Sequence, residues 1–169
     1  MAVSMVACAA FRRSELAAGW GHTCGIVKSD DSARCWGYNG YGQTTVPAVS
    51  GGWASLAAGG SHACGIVKVD NSARCWGRNF MDQTNVPAVS GGWASLTANH
   101  EITCGIVKAG DSALCRGNNW YGQRNAPAVS GGWASLVAGV VHVCGILKAD
   151  NSARCWGNNA HGESTVPKP

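Results

Sequence analysis

Cysteine is the residue type whose number and spacing first suggest chemistry in this sequence. Nine cysteines occur in 169 residues, and eight of them form pairs with one common spacing: Cys24 and Cys35, Cys64 and Cys75, Cys104 and Cys115, Cys144 and Cys155. Paired thiols can form a disulfide, ligate a metal ion together with other groups, or pack as small apolar side chains. The odd count leaves Cys8 outside the pairs.

Histidine stands two residues before the first cysteine of three pairs, as His22, His62 and His142. Residues i and i+2 share one face of a strand, whereas zinc sites usually place paired ligands on turns. The spacing therefore argues against a metal site, and we expect no cofactor. Histidines at equivalent positions of a repeat are typical of a structural role. Because nucleophile motifs, phosphate-binding loops and paired carboxylates are also missing from the sequence, it predicts a protein without enzymatic activity.

The cysteine pairs belong to an internal repeat of forty residues. Trp-Ala-Ser-Leu starts at Trp53 and recurs at Trp93 and Trp133, while prolines keep the same interval. In the first unit Arg13 stands at the tryptophan position. We therefore expect a leader or arm at 1–12 and a four-repeat domain at 13–169, with units at 13–52, 53–92, 93–132 and 133–169.

Composition and local pattern predict an all-β fold for these units. Apolar residues make up 46% and charged residues 13%, so the signature of disorder is missing. Glycine, at 24 residues, interrupts every window long enough for a helix. The second unit reads as strands over Trp53–Ala58, His62–Lys68 and Ala73–Gly77, with a further short extended piece over Thr84–Val89.

The central hairpin of each unit can be placed in register from its turn. Ser29 to Ser32 form the turn signal of the first unit. With the turn centred between Ser29 and Asp30, Ile26 faces Ala33 and Cys24 faces Cys35. Directly opposed strand residues are close enough for a disulfide. A disulfide and a pair of free thiols both fit this register.

The repeat resembles that of the regulator of chromosome condensation family. The resemblance is carried by Gly21 to Ile26 and by the Trp-Gly-x-Asn-x-x-Gly-Gln pattern within Cys35 to Gln43. The third unit departs from it, with Ile102 at the histidine position and Arg116 at the tryptophan position. The resemblance implies a β-propeller. The repeat count gives it four blades, and the local pattern gives each blade three to four antiparallel strands.

Four blades can close into a small ring or form an open arc, that is, a partial propeller. Repeat architectures bury their core between neighbouring units, so an open arc leaves two terminal faces for a partner or a second copy to cover. The first and fourth units lack strongly polar faces that would act as caps. We therefore expect a closed ring or a tight assembly in preference to a free arc.

The residues that vary between units are the candidates for a partner surface. Loop residues at such positions are Tyr38, Tyr41, Arg78, Phe80, Trp120, Tyr121 and His161. A second set has a constant position and would form a ring or arc of positive charge: Lys28, Lys68, Lys108 and Lys148. The tryptophans repeated at fixed positions are typical of packing residues, although a glycan platform is an alternative.

Three functions follow from these patterns. The first is a non-enzymatic protein-protein interaction or scaffold module, with an unidentified protein partner. The resemblance also implies guanine-nucleotide exchange on a small GTPase, and the repeated tryptophans suggest a glycan-binding lectin. The net charge of +4 is scattered, which argues against nucleic acid as a partner.

The sequence leaves the compartment open. No apolar run reaches the length needed to span a bilayer, so we expect a soluble chain. The N-terminal residues do not form a clear signal peptide. The paired cysteines nevertheless permit an oxidising lumen or secretion.

Overall fold

The computed structural model of the protein describes residues 10–168. The expected leader therefore lies largely outside the described residues, as does Cys8. The strands are β1 (Phe11–Ala18), β2 (His22–Val27), β3 (Ala33–Gly37), β4 (Trp53–Ala58), β5 (His62–Val67), β6 (Ala73–Gly77), β7 (Trp93–Asn99), β8 (Ile102–Val107), β9 (Ala113–Gly117), β10 (Trp133–Ala138), β11 (His142–Leu147) and β12 (Ala153–Gly157).

The twelve strands form four antiparallel sheets of three strands, each made from consecutive strands. We call these sheets blades 1 to 4 in chain order. The prediction of an all-β repeat of four blades is confirmed. Residues 84–89, where a fourth extended piece was considered, are turn and coil.

Each central hairpin has the register expected from its turn. Cys24 faces Cys35 and Ile26 faces Ala33 in blade 1, and the other blades repeat this pairing. Turn positions that need a positive φ carry Asp or Asn, as at Asp31 (59°) and Asn71 (57°), which tolerate this region better than other side chains. The four cysteine pairs are joined as disulfides, one within each blade.

A large ring covers the glycine in the middle strand of each blade. A Cβ atom on Gly65 would lie 2.4 Å from Trp53 Cε3, so only glycine lets the indole lie flat on the strand. In blade 1 the ring over Gly25 belongs to Phe11, whose partner across the strands is Val27. The forty-residue repeat aligns Arg13 with the tryptophans of the other blades, but in the structure Phe11 occupies that position. The reason is an irregularity between Phe11 and Leu16 that shifts the register of β1.

The core lies between blades, where the exit face of one blade meets the entry face of the next. The entry face is the side that carries the repeated tryptophans, and the exit face is the side that carries the first cysteine of each pair. Between blades 1 and 2, Cys24 and Ile26 pack against Trp53, Ala63 and Trp76. Blades 3 and 4 use Ile102, Cys104, Trp133 and Val143 in the same way. Burial of the large indoles, each about 150–250 Å², makes this packing the main source of stability.

A buried hydrogen-bond chain adds to the packing between blades 2 and 3. The Thr103 hydroxyl donates to the carbonyl of Gln83 (2.8 Å), and His62 Nε2 lies 2.8 Å from the same hydroxyl. Because the hydroxyl has one proton and gives it to Gln83, Nε2 of His62 is the donor to Thr103. Burial first of all, with the neighbouring His22 adding to it, lowers the pKa of His62 to about 4. This ring is a neutral structural group.

The expectation of a closed ring is wrong. Strand contacts join blade 1 to blade 2, blade 2 to blade 3 and blade 3 to blade 4, and the four blades remain an open arc. A ring of four would need about a quarter turn between neighbouring blades. In the structure Trp53, Trp93 and Trp133 each pack between neighbouring blades, and this packing sets the angle between them.

Candidate protein-interaction surface

The candidate surface residues divide between the two ends of the blades. The loop after the third strand lies against the turn between the first two, since Tyr38 N–H donates to the carbonyl of Gly21 at 2.7 Å and Arg78 N–H to that of Ser61 at 2.9 Å. We call this the aromatic end. It carries Tyr38, Tyr41, Arg78, Phe80, Trp120, Tyr121 and His161. The lysines follow the second strand and therefore lie at the opposite, lysine end.

Buried glutamines hold the loops of the aromatic end in place. The side-chain oxygens of Gln43, Gln83 and Gln123 accept hydrogen bonds from the backbone N–H two residues earlier, each at 2.9 Å. All three glutamines are almost fully buried. Because the same contact recurs in three loops, each loop presents its side chains on a fixed backbone. Such order before binding lowers the conformational entropy lost when a partner binds.

Exposed aromatic rings from blades 1 and 2 form one cluster at this end. The Tyr38 and Tyr41 ring centroids lie 6.4 Å apart, and those of Tyr41 and Phe80 5.9 Å apart, both edge to face. The guanidinium of Arg78 lies 4.9 Å from the Phe80 centroid and 5.8 Å from that of Tyr41. Phe80 is 71% exposed. An apolar ring this exposed, held in a cluster, is typical of an interaction site.

Arg78 connects this cluster to blade 3. Its Nη1 lies 2.5 Å from Oε1 of Glu101, a buried carboxylate that also accepts a hydrogen bond from Asn118 Nδ2 at 3.1 Å. The pair is partly buried, with 25% of the Arg78 side chain and 9% of the Glu101 side chain exposed, so loss of either partner would leave the other charge poorly solvated. Arg78 therefore fixes loops from blades 1, 2 and 3 relative to one another.

Trp20 and His100 extend the aromatic end and were not singled out from the sequence as surface residues. Their rings stack with centroids 4.5 Å apart, although they lie on blades 1 and 3. Gly60 of blade 2 lies between them, and a Cβ there would approach the His100 carbonyl oxygen to 2.9 Å. Trp20 is 67% exposed. The signal that could have found this pair is the glycine in blade 2 at the repeat position held by Trp20 and His100.

The blade 3 and blade 4 loops continue the same end. Trp120 is 75% exposed, and its backbone N–H donates to Asn118 Oδ1 at 2.9 Å. Tyr121 is also exposed. His161 is exposed, and its N–H donates to Glu163 at 2.8 Å, where glutamate replaces the glutamine of the other loops.

The lysines do not form a free ring of charge. Lys68 pairs with Asp31 of the preceding blade at 2.6 Å, and Lys148 pairs with Asp111 in the same way at 2.6 Å. The hydrogen bond from Lys68 first of all, with the nearby Arg12 adding to it, lowers the pKa of the Asp31 carboxyl. Lys28 and Lys108 are exposed at the same end. The charge of this end is therefore partly neutralised across the blade junctions.

The repeated tryptophans are packing residues. Trp53, Trp93 and Trp133 are almost fully buried, and Trp76 and Trp156 donate from Nε1 to the carbonyls of Gln43 and Gln123, each at 2.9 Å. They form no exposed platform for a sugar ring. Among residues 10–168, no three His, Cys, Asp or Glu side chains lie close enough to share a metal ion. Within the same range, no helix is long and apolar enough to cross a membrane.

Comparisons with known proteins agree with this architecture. Residues 14–43 and 53–83 match the Regulator of chromosome condensation (RCC1) repeat. No curated protein sequence matches the chain. The ectodomain of the Physcomitrella patens receptor kinase CR4 is similar over 84% of this chain and 38% of its own, with 31% identity and a TM-score of 0.72.

Two further solved structures share the fold. The ectodomain of the Arabidopsis thaliana receptor kinase ACR4 is 30% identical over 84% of this chain and 49% of its own, with a TM-score of 0.68. Yeast RCC1 (Prp20), solved bound to Kap60, is 15% identical over 90% of this chain and 45% of its own, with a TM-score of 0.71. The chain thus spans less than half the length of each of these structures. It belongs to the RCC1-type repeat β-propellers and is an open array of four of their blades.

Proposed function

We propose that this protein is a non-catalytic interaction module that binds a protein partner through its aromatic end. The observation that carries the proposal is the continuous surface fixed by Arg78 across three blades. Its exposed residues are tyrosine, tryptophan and phenylalanine, and Arg78 lies half-buried among them. Tyrosine, tryptophan and arginine are the residue types that dominate the energetics of protein interfaces. The loops vary between units, whereas the frame that holds them is constant.

The aromatic end is a better docking surface than the lysine end. Its side chains are ordered before binding, by the glutamine anchors and by the Arg78 to Glu101 pair. Two of the four lysines are already paired with aspartates, so a docking partner would have to compete with these contacts. The partner is therefore expected to offer apolar and hydrogen-bonding groups more than a purely acidic patch.

Affinity capture with paired variants tests this proposal. Wild-type bait, an aromatic-end variant (Tyr41→Ala, Phe80→Ala and Trp120→Ala) and a lysine-end variant (Lys28→Ala and Lys108→Ala) are compared in the same native extract. All five side chains are exposed, so both variants should fold. We expect at least one protein to be retained by the wild type and the lysine-end variant and lost from the aromatic-end variant. Identical capture by all three baits would contradict the proposal.

The exchange-factor alternative has weaker support. It rests on the fold shared with yeast RCC1, at 15% identity, and the chain spans 45% of that structure. Measurement of labelled-nucleotide release from a panel of small GTPases tests it directly. The lectin alternative requires exposed tryptophan rings on which a sugar can stack, but the repeated tryptophans of blades 2 to 4 are buried.

We further propose that the chain works in an oxidising compartment, either extracellular or lumenal. Each blade carries one disulfide, and disulfides persist where thiols are not kept reduced. The two receptor-kinase relatives at 30–31% identity are ectodomains, which supports the same location. Trapping of the thiols by alkylation at the moment of lysis tests the proposal, since the native pool should contain oxidised cysteine pairs.

A further inference from the structure

Among residues 10–168, the open arc leaves two sheet faces uncovered, and both carry exposed apolar side chains. On the entry face of blade 1, Leu16 is 59% exposed and Trp36 is 46% exposed, whereas Trp76 at the equivalent place in blade 2 is 8% exposed. On the exit face of blade 4, Val137 is 66% exposed, whereas Ala57 in blade 2 is 8% exposed. The side chains at these positions are buried where two blades meet, and here they are exposed.

Two of the three internal junctions match the polarity of the exit face to that of the entry face. At the junction of blades 2 and 3, His62 on the exit face is hydrogen-bonded to Thr103 on the entry face. At the equivalent positions of the next junction, Ile102 and Val143 are both apolar and are buried in one cluster. These two junctions match a polar residue with a polar one and an apolar residue with an apolar one, whereas the junction of blades 1 and 2 has the polar His22 and the apolar Ala63 at these positions.

The two uncovered faces complement each other as the faces at the junction of blades 2 and 3 do. The exit face of blade 4 carries His142 at the position of His62, and the entry face of blade 1 carries Thr23 at the position of Thr103. Both are only half-buried in the single chain. The Trp36 indole is free to make the contact of Trp76, whose Nε1 donates to a loop carbonyl of the preceding blade. In blade 4 that carbonyl belongs to Glu163.

We propose that the occupant of these faces is a second copy of the chain. The exit face of blade 4 of each copy packs on the entry face of blade 1 of the other, with His142 donating to Thr23 and Trp36 to the Glu163 carbonyl. A head-to-tail contact of this kind forms a ring when its rotation closes. Two copies supply eight blades, which is at the upper end of the usual range of about four to eight for propellers. The assembly continues an interface that the chain already builds three times.

The solution mass tests this proposal through complementing variants. Wild type should have twice the chain mass of 17.4 kDa over a wide range of concentrations by multi-angle light scattering. Leu16→Glu blocks only the entry face and Val137→Glu only the exit face, so each alone should have the mass of one chain. An equimolar mixture of the two should again contain pairs, because it retains one intact exit face and one intact entry face.

Each outcome decides the case. A monomeric wild type would overturn the proposal, and so would a covering of these faces by further blades of a longer chain. Dimers of either variant alone would show a head-to-head contact instead. Both substitutions replace exposed side chains, so circular dichroism and melting temperature at dilution should match the wild type. The aromatic-end variant should remain dimeric, which separates this proposal from the proposed function.

A conservative pair of variants tests the register of the contact. Thr23→Val removes the hydroxyl that faces His142 at both junctions, and each lost hydrogen bond weakens binding roughly tenfold. We therefore expect a dimer dissociation constant raised roughly a hundredfold, while Thr23→Ser stays close to wild type. Equal dissociation constants for Thr23→Val and wild type would contradict the proposed register.

Discussion

His62 Nε2 lies 2.8 Å from Thr103 Oγ1 across the junction of blades 2 and 3, where both side chains are buried. The hydroxyl in turn donates to the Gln83 carbonyl. One threonine thus connects a histidine of the preceding blade to the loop that presents Phe80. The frame and the aromatic end are joined at this point.

Thr103→Val should destabilise the protein by about 2 kcal/mol, because it leaves a buried N–H on His62 and a buried carbonyl on Gln83 without partners. Urea unfolding followed by tryptophan fluorescence measures the loss. Thr103→Ser keeps the hydroxyl and is the matched control. A valine variant as stable as the serine variant would show that the hydrogen-bond chain contributes nothing.

Gly65→Ala should lower the free energy of unfolding by about 1–3 kcal/mol, the usual range for overpacking a tight core. The new Cβ would lie 2.4 Å from the buried Trp53 indole, which has no free space in which to move. Gly25→Ala is the control, since the ring over it is the half-buried Phe11 of the terminal blade. The melting temperature of Gly65→Ala should be well below that of Gly25→Ala. The reverse order would contradict the packing described.

The four disulfides give a definite thiol count. Eight of the nine cysteines are paired, so alkylation of the unreduced, unfolded protein should label at most one thiol, and alkylation after reduction should label nine. Mass spectrometry reads both numbers. Each bond closes a loop of about 12 residues and is worth roughly 3 kcal/mol on the chain-entropy model, so the reduced protein should unfold at a much lower temperature. Labelling of eight or nine thiols before reduction would exclude the disulfides.

Stability should fall as the pH is lowered from about 6.5 towards 4. Burial holds the pKa of His62 at about 4, below the value near 6.5 of the unfolded chain. In that window the unfolded state binds a proton that the folded state does not, so unfolding is favoured by up to about 3 kcal/mol at the acid end. Burial lowers the pKa of His22 in the same direction.

His62→Gln isolates the contribution of this ring. The glutamine amide can still donate to Thr103 but does not titrate, so the variant should lose less stability than wild type between pH 6.5 and 4.5. The measured quantity is the difference between the two unfolding free energies at each pH. A difference independent of pH would show that His62 is not the titrating group.

The local fold was predictable from the sequence because its signals are local. Turn residues and cysteine spacing set the hairpin register, and the structure confirms it at Cys24 and Cys35. The open arc was not predictable, since the angle between blades depends on how indoles such as Trp53 pack against another blade. The replacement of Arg13 by Phe11 was missed for a similar reason, because a strand irregularity is invisible in a repeat alignment without gaps.

The candidate surface was only partly predictable. Variation between units indicated the aromatic loops, but it could not show that the lysines lie at the opposite end. The stack of Trp20 on His100 joins residues from blades 1 and 3, and no local pattern reports such a contact. The same holds for Arg78 and Glu101, whose pairing depends on the arrangement of three blades.

Amide hydrogen exchange of the chain, alone and bound to the protein that the aromatic-end variant fails to capture, tests the proposed interface most directly. We expect slower exchange in the loops 78–83 and 118–123 and around Trp20, with no change in the turns that follow Lys28 and Lys108. Protection confined to those lysine-end turns, or absent from both ends, would contradict the assignment of binding to the aromatic end.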